Sequence, residues 1–306
     1  MSEEVEKELK KIPGLSWLIK QAKKIIFPGL EGLSLYDLWE IYSVGIIKGT
    51  FSTRAGSIAF SFFMAIFPFL LFILNLIPYV WFIDDFQLEV LAFMDTLLPP
   101  QTSEFFNEIF ADIVNNPRGG LLSITFILSI FLMTNGINAI FTGFEFSYHT
   151  TINRSIIRQY LVALGTSIII ALMLLLSVIA FVYLTYIIED LKAIGIFSDN
   201  LYWAQIGRYL VFVLLIYNAV AILYYFGTKE GRNSRYFSVG AFFTTLLIML
   251  TTFLFSIYIE NFSTYNKLYG SIGALLILMV YIWINANILL LGFELNASIN
   301  RLKQNF

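Results

Sequence analysis

Two glutamates sit near the ends of long apolar runs, Glu145 and Glu294, in a chain that is only 13% charged. Each follows an asparagine by seven residues, Asn138 before Glu145 and Asn287 before Glu294. On a helix that spacing is two turns, so amide and carboxylate share a face. A carboxylate at the edge of hydrocarbon must be paired or neutral, and the candidate partners are Arg54, Arg154, Arg158, Arg232, Arg235 and Arg301. Such a glutamate pins a helix end, gates and proton-couples a pathway, or is simply exposed to solvent; all three readings stay open. Around them lie further polar side chains: Arg54, Ser57, Ser61 and Asn75 with Pro68 on one stripe, and Asn135, Asn138, Thr142 and Glu145 on a second. Asn287 and Glu294 form a third, with Asn285, Gly292 and Asn296 on another side of the same segment. Polar groups in hydrocarbon are costly and are expected to face the bundle interior, where they hold helices together or line a path.

Other chemistries are excluded early. The chain has no Cys and one histidine, His149, which rules out a disulfide framework, an iron–sulfur cluster, a thiol nucleophile and a multi-histidine metal site. No catalytic residue, metal or cofactor is expected. Nuclease chemistry would need a metal-binding carboxylate cluster or a histidine pair beside a basic groove, and neither is present, so no nucleic-acid partner is expected.

The elements that position the polar residues follow from composition. With 58% hydrophobic residues, 17% aromatic and a mean hydropathy of +0.77, the chain cannot coat a water-soluble surface. Runs of about 20 apolar residues, the length that crosses the hydrocarbon core, predict six spans. They fall at about 57–83, 121–144, 160–188, 206–226, 236–259 and 270–295. Unpaired backbone is not tolerated in lipid and the runs lack barrel alternation, so the class is all-α, a polytopic six-helix membrane bundle. Lys and Arg concentrate before span 1, between spans 2 and 3, between spans 4 and 5 and after span 6, leaving Arg118, Lys192, Arg208 and Lys267 for the other side. Both termini are therefore expected in the cytoplasm. Nothing near the start resembles a cleavable signal peptide.

Residues 1–54 read as an interfacial arm preceding a transmembrane domain at 55–306. In the arm, Leu15, Leu18, Ile19, Ala22, Ile25 and Ile26 oppose Lys20, Lys23 and Lys24, and a second amphipathic helix begins at Ser34, an N-cap with Asp37 three residues on. Lipid headgroups or the protein's own cytoplasmic face would suit these surfaces. The external segment 84–118 is acidic, broken at Pro99-Pro100, and predicts a helical cap over the bundle. Ser129, Gly136 and Gly143 predict a close-packing face on span 2, and Gly240, Thr244 and Thr251 a stripe on span 5. Span 3, apolar nearly all round, is expected to be the most lipid-exposed.

Several of these residues carry a resemblance. Ala59-Phe60 through Phe67-Pro68, Leu98-Pro99-Pro100, Asn138 with Ile140-Phe141, Tyr269-Gly270-Ser271-Ile272-Gly273-Ala274 and Leu291-Gly292-Phe293-Glu294-Leu295-Asn296-Ala297 are similar to the YihY/BrkB family of bacterial inner-membrane proteins, once called ribonuclease BN. The likeness covers about residues 40–300. The family usually has a proline after span 4, where this chain has Tyr224-Tyr225-Phe226-Gly227. The resemblance implies a six-helix inner-membrane protein without a settled biochemical activity, with members linked to serum resistance and, in one branch, export of a lipid A precursor. Two functions follow as expectations. One is a transporter or flippase of an amphiphilic envelope lipid, using the polar faces of spans 1, 2 and 6. The other is a non-transporting scaffold that docks a partner through the acidic loop. Membrane lipids are the expected partners; oligomeric state is not legible.

Overall fold

The computed structural model describes residues 21–26, 34–37, 39, 50–76, 119–146, 155–193, 200–228, 236–261 and 271–304. The predicted external cap at 84–118 lies outside them. Six long helices form the described part: α1 Thr50–Leu76, α2 Gly119–Glu145, α3 Ile156–Ala193, α4 Asn200–Gly227, α5 Val239–Asn261 and α6 Ser271–Gln304. Each coincides with one predicted run. Five contain a stretch long and apolar enough to cross a membrane: Ser123–Glu145, Ile156–Ser177, Tyr209–Gly227, Val239–Tyr258 and Leu275–Ala297. The remaining helix, α1, has 27 residues, about 40 Å at helical rise, but opens on Thr50, Ser52, Thr53 and Arg54. It begins seven residues before the predicted span, and the predicted stretch beyond Leu76 lies outside the described residues. α1 stays helical across Pro68, whose missing N–H leaves the Met64 carbonyl without its helical donor.

The helices pack in sequence order into a closed ring, α1 on α2, α2 on α3, and so on to α6, which returns to α1. In addition α2 touches α4 and α6. Elements consecutive in the chain usually pack side by side, and the α3–α4 and α5–α6 connections, residues 194–199 and 262–270, are short. Spans 1, 2 and 6 are thus mutual neighbours, a relation that facing stripes alone do not determine. The core between them is apolar: Ile58 of α1, Ile137, Ile140, Phe141 and Phe144 of α2, Tyr224 of α4, Ala241 of α5, and Leu290 and Phe293 of α6 are all buried.

Small residues set the close crossings, as expected where lipid supplies no hydrophobic drive between helices. A Cβ added at Gly136 would meet the Phe62 ring of α1 at 3.2 Å, and one at Gly143 would meet Leu290 and Ile58 at 3.1 and 3.2 Å. The predicted small-residue face of α2 therefore packs on α1 and α6. Gly240 and Gly292 bring α5 and α6 closer still, with the Gly292 carbonyl where a Gly240 side chain would begin.

Outward faces are apolar: Leu161, Ile168, Ile169, Leu172 and Leu176 of α3 and Phe242, Leu246, Phe253 and Leu254 of α5 are exposed. The most apolar stretches of these two helices bury only 22% of their residues, against 44% in α2 and α4, so α5 shares with α3 the outward exposure expected of α3.

Candidate functional site: the α1–α6 seam

Arg54 joins three helices at one end of the bundle. Its Nη1 donates to the Gly143 carbonyl at 2.8 Å, and its guanidinium lies 4.7 Å from the Phe51 ring centroid. Gly143 is within the last turn of α2, so the cation sits on an acceptor at the negative end of a helix dipole. From α6, the buried carboxylate of Glu294 acts electrostatically on the same guanidinium. Glu145, the last residue of α2, is half-buried and also engaged in an interaction of its own.

The antiparallel register of α1 and α6 fixes what lies beyond this pair. Arg54 is level with Glu294, and Ile58 and Leu290, each four residues further in, both flank Gly143. Seven residues from the pair, Ser61 and Asn287 reach the same level on the faces that carry Arg54 and Glu294. Both are half-buried, and Ser57 is exposed. On the outer side the file is bordered by exposed Phe60 and Met64 of α1 and by Leu276, Val280 and Trp283 of α6. Inward orientation was expected for all these polar residues. Ser57 departs from it, and Asn287 does so in part, because its Nδ2 donates to the Trp283 carbonyl at 2.7 Å on its own helix and so needs no partner from the interior.

The polar file of α2 turns elsewhere. Tyr160 of α3 donates to Asn135 Oδ1 at 3.3 Å, Gln159 Nε2 donates to Thr142 Oγ1 at 3.0 Å, and Thr142 donates to the Asn138 carbonyl at 2.9 Å. The Asn135 and Thr142 side chains thus serve the α2–α3 contact, with Thr134 and Ser167 meeting at 3.1 Å nearby. Among the described residues, the interhelical side-chain bonds of Asn135 and Thr142 run to α3 and not to the α1–α6 seam. Asn285 is also separate: its Nδ2 donates to the Tyr281 carbonyl at 2.8 Å and its Oδ1 is buried without a donor. The Asn75 side chain lies outside the described residues.

Sequence reasoning missed the polar lock that ties α4, α5 and α6 together near the Arg54–Glu294 end. Tyr224 of α4 donates to the Leu289 carbonyl of α6 at 2.7 Å, and with that proton committed, Thr244 of α5 donates to the Tyr224 oxygen at 2.6 Å. One turn along, Asn296 of α6 accepts from Gly240 N and donates to Ser238 Oγ, both at 2.8 Å, while Ser238 accepts from Ala241 N at 3.2 Å. Two orphan donors of the first turn of α5 are thereby satisfied, one by its own N-cap and one by a neighbouring helix. Gly240, Thr244, Gly292 and Asn296 were legible as stripes; Tyr224, inside an aromatic run, gave no signal. The residues just before the two glutamates meet directly: Phe144 and Phe293 stack with centroids 4.1 Å apart and Tyr224 lies edge-on to both.

Comparison with known proteins gives a consistent picture. The family described as "Virulence factor BrkB" matches residues 45–305. The ribonuclease-like protein YfkH of Bacillus subtilis is 28% identical over 258 residues, covering 82% of this chain and 91% of its own. A UPF0761 membrane protein of Coxiella burnetii is 21% identical over 245 residues, 78% of this chain and 84% of its own. A third, from Idiomarina loihiensis, is 34% identical over 105 residues, about a third of each chain. No solved structure matches.

Proposed function

This chain belongs to the virulence factor BrkB family, and from that premise we propose that it moves an amphiphilic envelope lipid between leaflets along the α1–α6 seam. The headgroup follows Ser57, Ser61 and Asn287 from the Arg54–Glu294 end, while the acyl chains remain in the bilayer beside Phe60, Met64 and Trp283. One observation carries this reading: the polar file lies on the outer flank of the bundle, whereas at the Arg54–Glu294 end the space between the helices is closed by the Phe144–Phe293 stack and the Tyr224–Thr244 lock. A lateral route fits an amphiphile, whose tails need lipid and whose headgroup needs polar contacts. Concentration of Lys and Arg before α1, in the α2–α3 and α4–α5 connections and after α6 supports a bacterial inner-membrane protein with cytoplasmic termini. We read it as non-enzymatic; ribonuclease-like belongs to the name of the Bacillus relative. The closed core also fits a scaffold without transport, which is the rival outcome of the test.

In proteoliposomes carrying headgroup-labelled lipids, the wild-type protein is expected to accelerate leaflet exchange. Asn287→Leu and Ser61→Leu, apolar changes at a lipid-facing flank, are expected to slow it about tenfold, the loss of one polar contact along the route. No acceleration by the wild type across neutral and acidic lipids would overturn transport and leave the scaffold. Unchanged rates in both variants would remove the seam from the route.

A further inference from the structure

We infer that the segment ahead of α1 is an anionic-lipid dock, in which exposed Ile25, Ile26, Leu35 and Trp39 enter the headgroup boundary beside exposed Lys23 and Lys24. The two pieces of this patch are held together locally: Leu35 N donates to the Ile25 carbonyl at 2.9 Å, Ile26 and Ser34 form an antiparallel bridge, and the Lys23 ammonium lies 4.7 Å from the Tyr36 ring centroid. Ser34 and Asp37 exchange bonds, Ser34 N to Asp37 Oδ2 at 2.8 Å and Asp37 N to Ser34 Oγ at 3.3 Å, with the Ser34 hydroxyl also donating to that carboxylate at 2.7 Å. Asp37 is thus engaged in starting a helix, and among the described residues of the patch the exposed charges, Lys23 and Lys24, are basic.

Three observations select a membrane surface as the occupant. The four apolar side chains are 39–59% exposed in the full chain, so the protein's own bundle does not cover them. Basic residues beside large apolar ones, with a tryptophan among them, complement anionic headgroups. Trp39 precedes Thr50 by eleven residues, which span at most about 40 Å fully extended, so the patch cannot leave the neighbourhood of the membrane that α1 enters. The family match begins only at residue 45, which places this dock outside the shared region.

Because the chain has no Cys, a nitroxide can be attached at Leu35→Cys or Ile26→Cys in the otherwise unaltered protein. Its accessibility to oxygen and to a water-soluble nickel chelate is then measured in vesicles of phosphatidylcholine alone and with phosphatidylglycerol added. The acidic lipid is expected to raise the oxygen-to-nickel ratio at least about twofold, as for a side chain sinking below the headgroups. Lys23→Glu with Lys24→Glu is expected to abolish that rise. Labels that stay in water in both mixtures would overturn the dock. So would shielding that ignores lipid charge, or that is equal in detergent micelles, which would place the patch against the protein itself.

Discussion

Gly240→Ala is expected to destabilise the bundle by about 3 kcal/mol or more, the upper range for overpacking a close contact. The added Cβ would fall on the Gly292 carbonyl, a backbone atom of α6 that cannot step aside, and within 2.6 Å of the Asn296 amide. Gly292→Ala is also expected to be severe but partly reversible, because the atoms it meets include the Thr244 hydroxyl and the Tyr224 hydroxyl at 2.5 Å. Adding Thr244→Ala deletes the nearest of these and should recover part of the loss, whereas Asn296→Ala should not rescue Gly240→Ala. Gly56 is the internal control: a Cβ added there would meet nothing within 4 Å, so Gly56→Ala should be neutral or gain up to about 1 kcal/mol of helix propensity. Thermal unfolding midpoints in detergent, read by size-exclusion chromatography after heating, would check the order. Equal tolerance of alanine at Gly240 and Gly56 would contradict the α5–α6 crossing.

Arg54→Ala is the second large effect. It leaves the Glu294 carboxylate, 4% exposed, without the cation that acts on it, and it removes the donor to the Gly143 carbonyl. Losing a charge-assisted hydrogen bond costs about 1.5–3 kcal/mol, and because Arg54 is itself only half-buried, solvent screening favours the lower end, about 2 kcal/mol. Glu294→Gln should cost less, since Arg54 keeps the Gly143 bond and its contact with Phe51. The double substitution Arg54→Ala with Glu294→Gln should be less harmful than the sum of the two, because no uncompensated charge remains. The same unfolding midpoints test this; strict additivity would mean that the two side chains do not interact.

Helix existence and spacing were legible because spanning hydrocarbon demands about 20 apolar residues whatever the tertiary context. The small-residue face Ser129–Gly136–Gly143 was also legible, since close helix approach needs small side chains. Neighbour relations were not. A stripe fixes which way a helix faces but not what it meets, which is why Asn135 and Thr142, read together with the stripes of spans 1 and 6, turn instead to Tyr160 and Gln159 of α3. The near-uniform apolarity of α3 hid those two residues at its start. Asn287 could face outward because an asparagine can bond its own backbone, an option that the cost of burying amides in lipid did not reveal. Tyr224 was hidden among Tyr225 and Phe226, although one hydroxyl there ties α4 to both α5 and α6.

The lateral route is tested most directly by bridging it. Ser61→Cys and Asn287→Cys, placed together in this cysteine-free chain, sit at one level on adjoining helices and can be joined by a short, reducible bifunctional thiol reagent. Leaflet exchange of a headgroup-labelled lipid in proteoliposomes is then followed before bridging, after it, and after reduction. A seam that carries the headgroup predicts that exchange stops on bridging and returns on reduction. Exchange that continues unchanged through a completed bridge would contradict it.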